Sequence, residues 1–195
     1  MNKKELIWRA ILHSAITRET NEFTQKQLAE QFNISLSTVF NALRELRQLG
    51  IVRVTGRNFS VEDPDKFLSF WATHRSLRRE IVYATHSDLP VSEIEGSLPP
   101  SAILACYSAF RATYGNIPAD YDKVYAYADP EGLEEIRRRF PPIKGYENII
   151  VCKSDPYLAS YGSVTPPVQI YTDIWNLEDW YAKEFLQRLH AAILP

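Results

Sequence analysis

Ser37, Thr38, Asn41, Arg44, Glu45 and Gln48 crowd polar side chains into one short stretch, Ser35-Leu36-Ser37-Thr38-Val39-Phe40-Asn41-Ala42-Leu43-Arg44-Glu45-Leu46-Arg47-Gln48-Leu49-Gly50. Each can donate or accept a hydrogen bond at the edge of a base or at a phosphate, which is the chemistry by which proteins read duplex DNA. Val39, Ala42, Leu43, Leu46 and Leu49 recur at three- and four-residue steps and share one side of a helix. Ser37, Asn41, Arg44 and Gln48 take the other side, with Thr38 and Glu45 at its border. Ser35 suits the N-cap and Gly50 the left-handed position after the last turn. The pattern predicts an amphipathic helix whose outer face reads DNA.

Such a helix needs elements to hold it. Residues 4–17 predict a first helix, with Leu6, Ile7, Ala10, Ile11 and Ile16 near its inward side. Trp8, Leu12 and Ala15 form a second apolar strip that could face the back half of the chain or another subunit. Thr24 and Gln27 are spaced as a capping box, which predicts a second helix from about Gln25 to Phe32. Asn33-Ile34 then makes a tight turn. After Gly50, Ile51–Val54 and Asn58–Val61 read as strands joined by a turn at Thr55-Gly56-Arg57. Helix, helix-turn-helix and hairpin wing follow within about 65 residues, the order of a winged DNA-binding module. Pro64 at a first helical position, after Glu62-Asp63, opens an aromatic helix through Leu77. It reads as a connector or a dimer contact. Arg75, Arg78 and Arg79 behind it make either a solvated basic face or an added phosphate contact.

The whole-chain charge of −2 conceals a division: residues 1–80 carry +4 and residues 81–195 carry −6. A mildly basic front joined to an acidic back suits a DNA-reading module attached to a domain with other work. No apolar run is long enough to span a membrane, and the first residues do not read as a secretory signal. Cys106 and Cys152 sit in apolar contexts and read as buried thiols of a cytoplasmic protein.

The stretch from Ile34 to Leu46, with Leu49-Gly50-Ile51-Val52, resembles bacterial and archaeal winged-helix transcription regulators. Their recognition helices often read Val-Ser-x-Ser-Thr-Val, then an alanine-leucine pair, then Leu-Gly-Leu/Ile. The resemblance implies that Ser35, Ser37, Thr38 and Asn41 point into the major groove, and that Arg53 and Arg57 approach phosphate or the minor groove. With Thr24, Arg44 and Gln48, these complete the candidate DNA-binding set. Leu36 and Phe40 depart from the pattern, since such positions are usually polar or basic. Either they pack under the wing or the back domain, or they contact thymine methyl groups.

From residue 80 the texture changes. Ile81–Ala84 reads as a strand, residues 89–100 as a loop or short extended segment, and Ala102–Tyr114 as a helix opened by Ser101 and ended by Gly115. Lys123–Ala128 and Asn148–Cys152 read as strands around a helix from Pro130 to Phe140. Arg137-Arg138-Arg139 closes that helix, where cations offset the dipole. A last helix over about Leu177–Leu194 is expected to be capped by Asn176. The alternation predicts a small α/β domain over residues 80–195, behind a winged helix at 1–63 and a connecting helix at 64–79. The overall class is an α+β winged helix followed by an α/β domain.

Within that back half, Ala102–Gly115, Val124–Tyr127, Pro167-Val168-Gln169-Ile170-Tyr171-Thr172-Asp173-Ile174 and Trp180–Leu186 resemble the AbiEi-type antitoxin family. There a winged helix is joined to an α/β domain with a comparable Gln-x-x-x-Asp-Leu/Ile segment before a last helix. The resemblance implies an autorepressor paired with a nucleotidyltransferase-like toxin.

Searches for catalytic motifs return nothing: no Gly-x-Ser-x-Gly, phosphate-cradling glycine loop, Cys-x-x-Cys or His-Glu-x-x-His occurs. His86-Ser87-Asp88 is the one local cluster that suggests a metal, and it lacks further ligands. Gln169 and Asp173 lie one helical turn apart and suit a structural hydrogen-bond pair. Tyr107, Tyr114, Tyr125 and Tyr127 read as core and interface aromatics. The expectation is therefore a DNA-binding transcription regulator, not an enzyme, without cofactor or metal, acting as a homodimer on double-stranded DNA. A second reading makes it a protein-interaction antitoxin or an effector-sensing regulator whose acidic half is the working part.

Overall fold

A computed structural model describes residues 1–17 and 20–194. The chain divides into two compact units, built on Met1–Arg75 and on Ser76–Ala191.

The front unit runs α1 (Lys3–Ile16), β1 (Glu22–Thr24), α2 (Gln25–Gln31), α3 (Leu36–Gln48), β2 (Val52–Thr55), β3 (Asn58–Val61) and α4 (Pro64–His74). The strands form an antiparallel sheet in the order β1-β3-β2. β1 was not foreseen from local sequence. It exists because Phe23 registers opposite Phe59, and the two rings stack with centroids 5.5 Å apart. The core joins Ile7 and Ile11 of α1, Leu28 and Phe32 around α2, Val39, Leu43 and Leu46 of α3, and Phe67, Leu68 and Trp71 of α4, all buried. Trp8 also belongs to this interior: its indole N–H donates to the Ala42 carbonyl (2.9 Å) and its ring meets Phe70 edge-on. Of the strip expected to face the back half or another subunit, Trp8 and Leu12 are buried and Ala15 is half-buried.

α4, expected as a connector, packs on α1. Glu5 ties the two helices, accepting from the Arg75 guanidinium (2.8 Å) and the Trp71 indole N–H (3.3 Å). Such a pair is invisible to periodicity, because 70 residues separate its members.

Both short helices end in the same device. After α3, the Ile51 N–H donates to the Leu46 carbonyl and the Gly50 N–H to the Arg47 carbonyl, a Schellman closure with Gly50 at φ +71°. After α2, Ile34 and Asn33 bond back to Ala29 and Glu30 in the same way, with Asn33 at φ +48°. A Cβ added at Gly50 meets no atom within 4 Å, so strain there is purely a backbone matter. Gly50→Ala is expected to lower stability by about 1–2 kcal/mol, the cost of a left-handed L-residue, as measured by urea unfolding.

The back unit runs β4 (Ile81–Thr85), α5 (Val91–Ser97), β5 (Ile103–Ala105), α6 (Cys106–Tyr114), β6 (Val124–Ala128), α7 (Pro130–Arg139), β7 (Ile149–Lys153), α8 (Pro167–Trp175) and α9 (Ala182–Ile193). Its mixed sheet has the order β4-β7-β6-β5, with β6 and β7 parallel across α7 and the outer pairs antiparallel. β6 is buried throughout. Val124, Ala126 and Ala128 pack with Ile94, Leu98, Ile136 and Val151, whereas Tyr125 meets the Tyr107 ring edge-on and the Tyr127 hydroxyl donates to Asp173 (2.7 Å).

Three expectations fail in this unit. Residues 91–97 are helical because Ile94 and Leu98 are drawn into the core, which a Pro-bounded stretch had hidden. The helix expected from Ala102 starts four residues later: Ile103–Ala105 pair with Tyr125–Tyr127, and ladder bonding wins over alanine's helical preference. α9 begins at Ala182 and not near Leu177. Asn176 instead closes α8, its amide donating to the Thr172 carbonyl (2.9 Å). Asp179 is held outside α9 by the Tyr107 hydroxyl (3.0 Å) and the Lys123 ammonium.

Candidate nucleic-acid interface

α3 is the second helix of the helix-turn-helix, reached from α2 through the Asn33 turn. Thr24 caps α2: its hydroxyl accepts from the Gln27 N–H (3.1 Å) and donates to the Gln27 side chain (2.9 Å). The Thr24 hydroxyl is thus engaged within the chain. Ser35 caps α3, accepting from the Thr38 N–H (3.2 Å), and its hydroxyl also lies 2.9 Å from that of Ser37 and 2.8 Å from that of Thr38. Three hydroxyls therefore converge on the positive end of the helix dipole, an arrangement suited to a phosphate or base oxygen.

Three contacts fix α3 in place. Val39, Ala42, Leu43 and Leu46 on its inner side are fully buried, although Leu49, expected on the same stripe, is 44% exposed at the C-cap. Trp8 bonds its middle turn, and the Lys66 ammonium donates to the Leu49 carbonyl (2.7 Å) at its C-terminal end. The Trp8 and Lys66 contacts were not read from the sequence, since each partner lies in a different helix. Ser37, Asn41, Arg44 and Gln48 are exposed on the opposite side, and a shallow depression is lined by Arg44, Arg47 and Gln48. Arg47 was absent from the sequence-based set, although it lies on the same solvent-facing surface.

Leu36 and Phe40 do not pack beneath the wing. They are 55% and 46% exposed, and the Arg47 guanidinium lies 5.8 Å above the Phe40 ring. Within the front unit, the reading that buries them under the wing is thereby excluded. Around the helix they adjoin Arg44 and Ser37, at the flank of the polar face.

The wing presents two arginines. Arg57 is exposed beside Gly56 (φ +63°) at the β2–β3 turn. Arg53, on β2, is exposed and paired with Glu62 (2.9 Å).

Residues 7–70 match the Crp-like helix-turn-helix domain. The matched span begins inside α1 and ends inside α4, and so takes in α2, α3 and the wing. The match supports a DNA-binding transcription regulator. No curated protein matches the chain.

Elsewhere the chemistry is quieter. No cluster of three metal-ligating side chains occurs among the described residues. His86 is engaged on both ring nitrogens, by the Tyr146 carbonyl (2.7 Å) and by Asp88 (3.0 Å), and the Asp88 hydrogen bond raises its pKa. Cys106 turns from β5 into α6 at φ +49°, and both it and Cys152 are fully buried. Gln169 and Asp173 share the buried face of α8, where Asp173 receives the Tyr127 hydroxyl. Arg137 and Arg139 pair with Glu134 and Glu135 one turn earlier. No helix of the described residues is long and apolar enough to cross a membrane.

Proposed function

We propose that this protein is a sequence-specific transcription regulator that reads double-stranded DNA with the outer face of α3. The carrying observation is that Ser37, Asn41, Arg44 and Gln48 stand exposed on a helix whose other side is fixed in a helix-turn-helix core. The major groove admits one α-helix, and hydroxyl, amide and guanidinium groups match its donors and acceptors. Ser37, Thr38 and Asn41 read bases near the N-terminal end of α3, while Arg53 and Arg57 hold phosphates from the wing. The protein acts in the cytoplasm by binding and not by catalysis, as a homodimer on two half-sites.

Its regulatory role follows the resemblance of the back half to AbiEi-type antitoxins: an autorepressor of a toxin–antitoxin operon, with a nucleotidyltransferase-like toxin as protein partner. The acidic charge of residues 81–195 supports a division of labour in which DNA is left to the front unit. A gel shift with the DNA upstream of the protein's own reading frame tests this role, and retardation at low salt is expected. Absence of retardation, with binding to a toxin encoded beside it, would leave a contact antitoxin instead.

The wing arginines make a separate prediction. Arg57→Ala is expected to weaken binding to all sequences and to flatten the plot of log affinity against log salt by about 0.9 per lost phosphate contact. Arg53→Ala should have the smaller effect, because Arg53 must first release Glu62. Titrations from 50 to about 200 mM salt, the range over which counterion release is well resolved, measure both.

A further inference from the structure

Leu36 and Phe40 are the anomaly of the α3 surface. Two large apolar side chains stand in solvent near the start of a helix in which Val39, Ala42, Leu43 and Leu46 are all at 0% exposure, with Leu49 at its C-terminal end 44% exposed. The chain thus had the means to bury apolar groups of this helix and left these two outside. Leu36 is the first residue of α3, and recognition helices present their N-terminal residues to base edges. Phe40 lies one turn on, over Leu36 and beside Asn41 and Arg44, with the Arg47 guanidinium 5.8 Å from its ring. The apolar strip is therefore continuous with the hydrogen-bonding groups of the same face.

We infer that Leu36 and Phe40 recognise thymine, and that the operator carries thymines where these side chains reach the major-groove floor. Among the four bases only thymine displays an apolar group there, its C5-methyl. An apolar side chain on a DNA-reading face has one matched partner, and against any other base it covers a polar edge without compensation. Arg47 steadies the Phe40 ring, and Asn41 and Arg44 set the register for the neighbouring pairs. The inference rests on the DNA-binding reading above and adds to it the identity of a base.

The test keeps the two apart. The full-length protein selects duplexes from a random library, and each thymine of the selected site is then replaced by deoxyuridine, which removes only the C5-methyl. Fluorescence anisotropy is expected to show about fourfold weaker binding for each contacted thymine, the worth of one buried methyl group. In Phe40→Ala or Leu36→Ala the penalty should vanish at the thymine which that side chain covers. Both positions are exposed, so the variants should fold as the parent does, with unchanged thermal unfolding. Deoxyuridine tolerated at every position, or a penalty that persists in the double variant, overturns the inference while DNA binding stands. Failure to select any sequence overturns the DNA-binding reading, and this inference with it.

Discussion

Glu5→Ala is expected to destabilise the front unit by about 3–5 kcal/mol, the cost of removing one partner from a buried ion pair. The side chains of Arg75 and Glu5 are 0% and 6% exposed, and the same carboxylate accepts from the Trp71 indole. Deleting it leaves two buried donors without that acceptor and removes the polar tie between α1 and the end of α4. The Lys4–Glu45 pair gives the contrast. It spans 3.4 Å with both side chains well exposed, and Lys4→Ala should change stability by less than about 1 kcal/mol. Guanidinium unfolding followed by tryptophan fluorescence measures both, since Trp8 and Trp71 lie in this core. Comparable small effects in the two variants would show that the Glu5 pair does not fasten α4 to α1.

Asn41→Ala is expected to weaken binding to a selected duplex by about 1–3 kcal/mol, the worth of one bidentate base contact, while binding to unrelated sequence is unchanged. The side chain is exposed, and α3 owes its place to Trp8, Lys66 and its buried face. Truncation at Cβ also favours a helix, because alanine has the highest helical propensity. Loss of affinity therefore cannot be attributed to loss of α3. It separates from the Arg57→Ala effect, which acts on every sequence and on the salt slope.

Legibility tracked the range of the interactions. α3 was readable because a capping serine, an apolar stripe at helical spacing and a closing glycine all lie within one segment, and the structure has the cap, the glycine and all of the stripe but Leu49 in place. The β2–β3 hairpin was readable from its turn, with strand limits displaced by a residue at Val52–Thr55. Elements fixed from afar were not. β1 depends on β3, some 36 residues away in the ladder Phe23–Phe59, and β5 on β6. Asn176 has the composition of an N-cap but serves the end of α8, because Asp179 is claimed by Tyr107 and Lys123. At the candidate interface, periodicity identified the polar face of α3 but not the supports behind it. Nor could it decide between burial and exposure for Leu36 and Phe40, whose angular position lies at the edge of the apolar stripe. Only the packed structure places them in solvent.

The most direct test of the account is the discrimination of the full-length protein between a duplex it selects from a random library and a shuffled duplex of the same composition. Both are measured by anisotropy at one salt concentration, for the parent and for Asn41→Ala. The prediction is a clear preference for the selected duplex in the parent, reduced by about 5- to 150-fold in Asn41→Ala with the shuffled affinity unchanged. Equal affinity of the parent for both duplexes, or full discrimination retained by Asn41→Ala, would contradict a reading head on the outer face of α3.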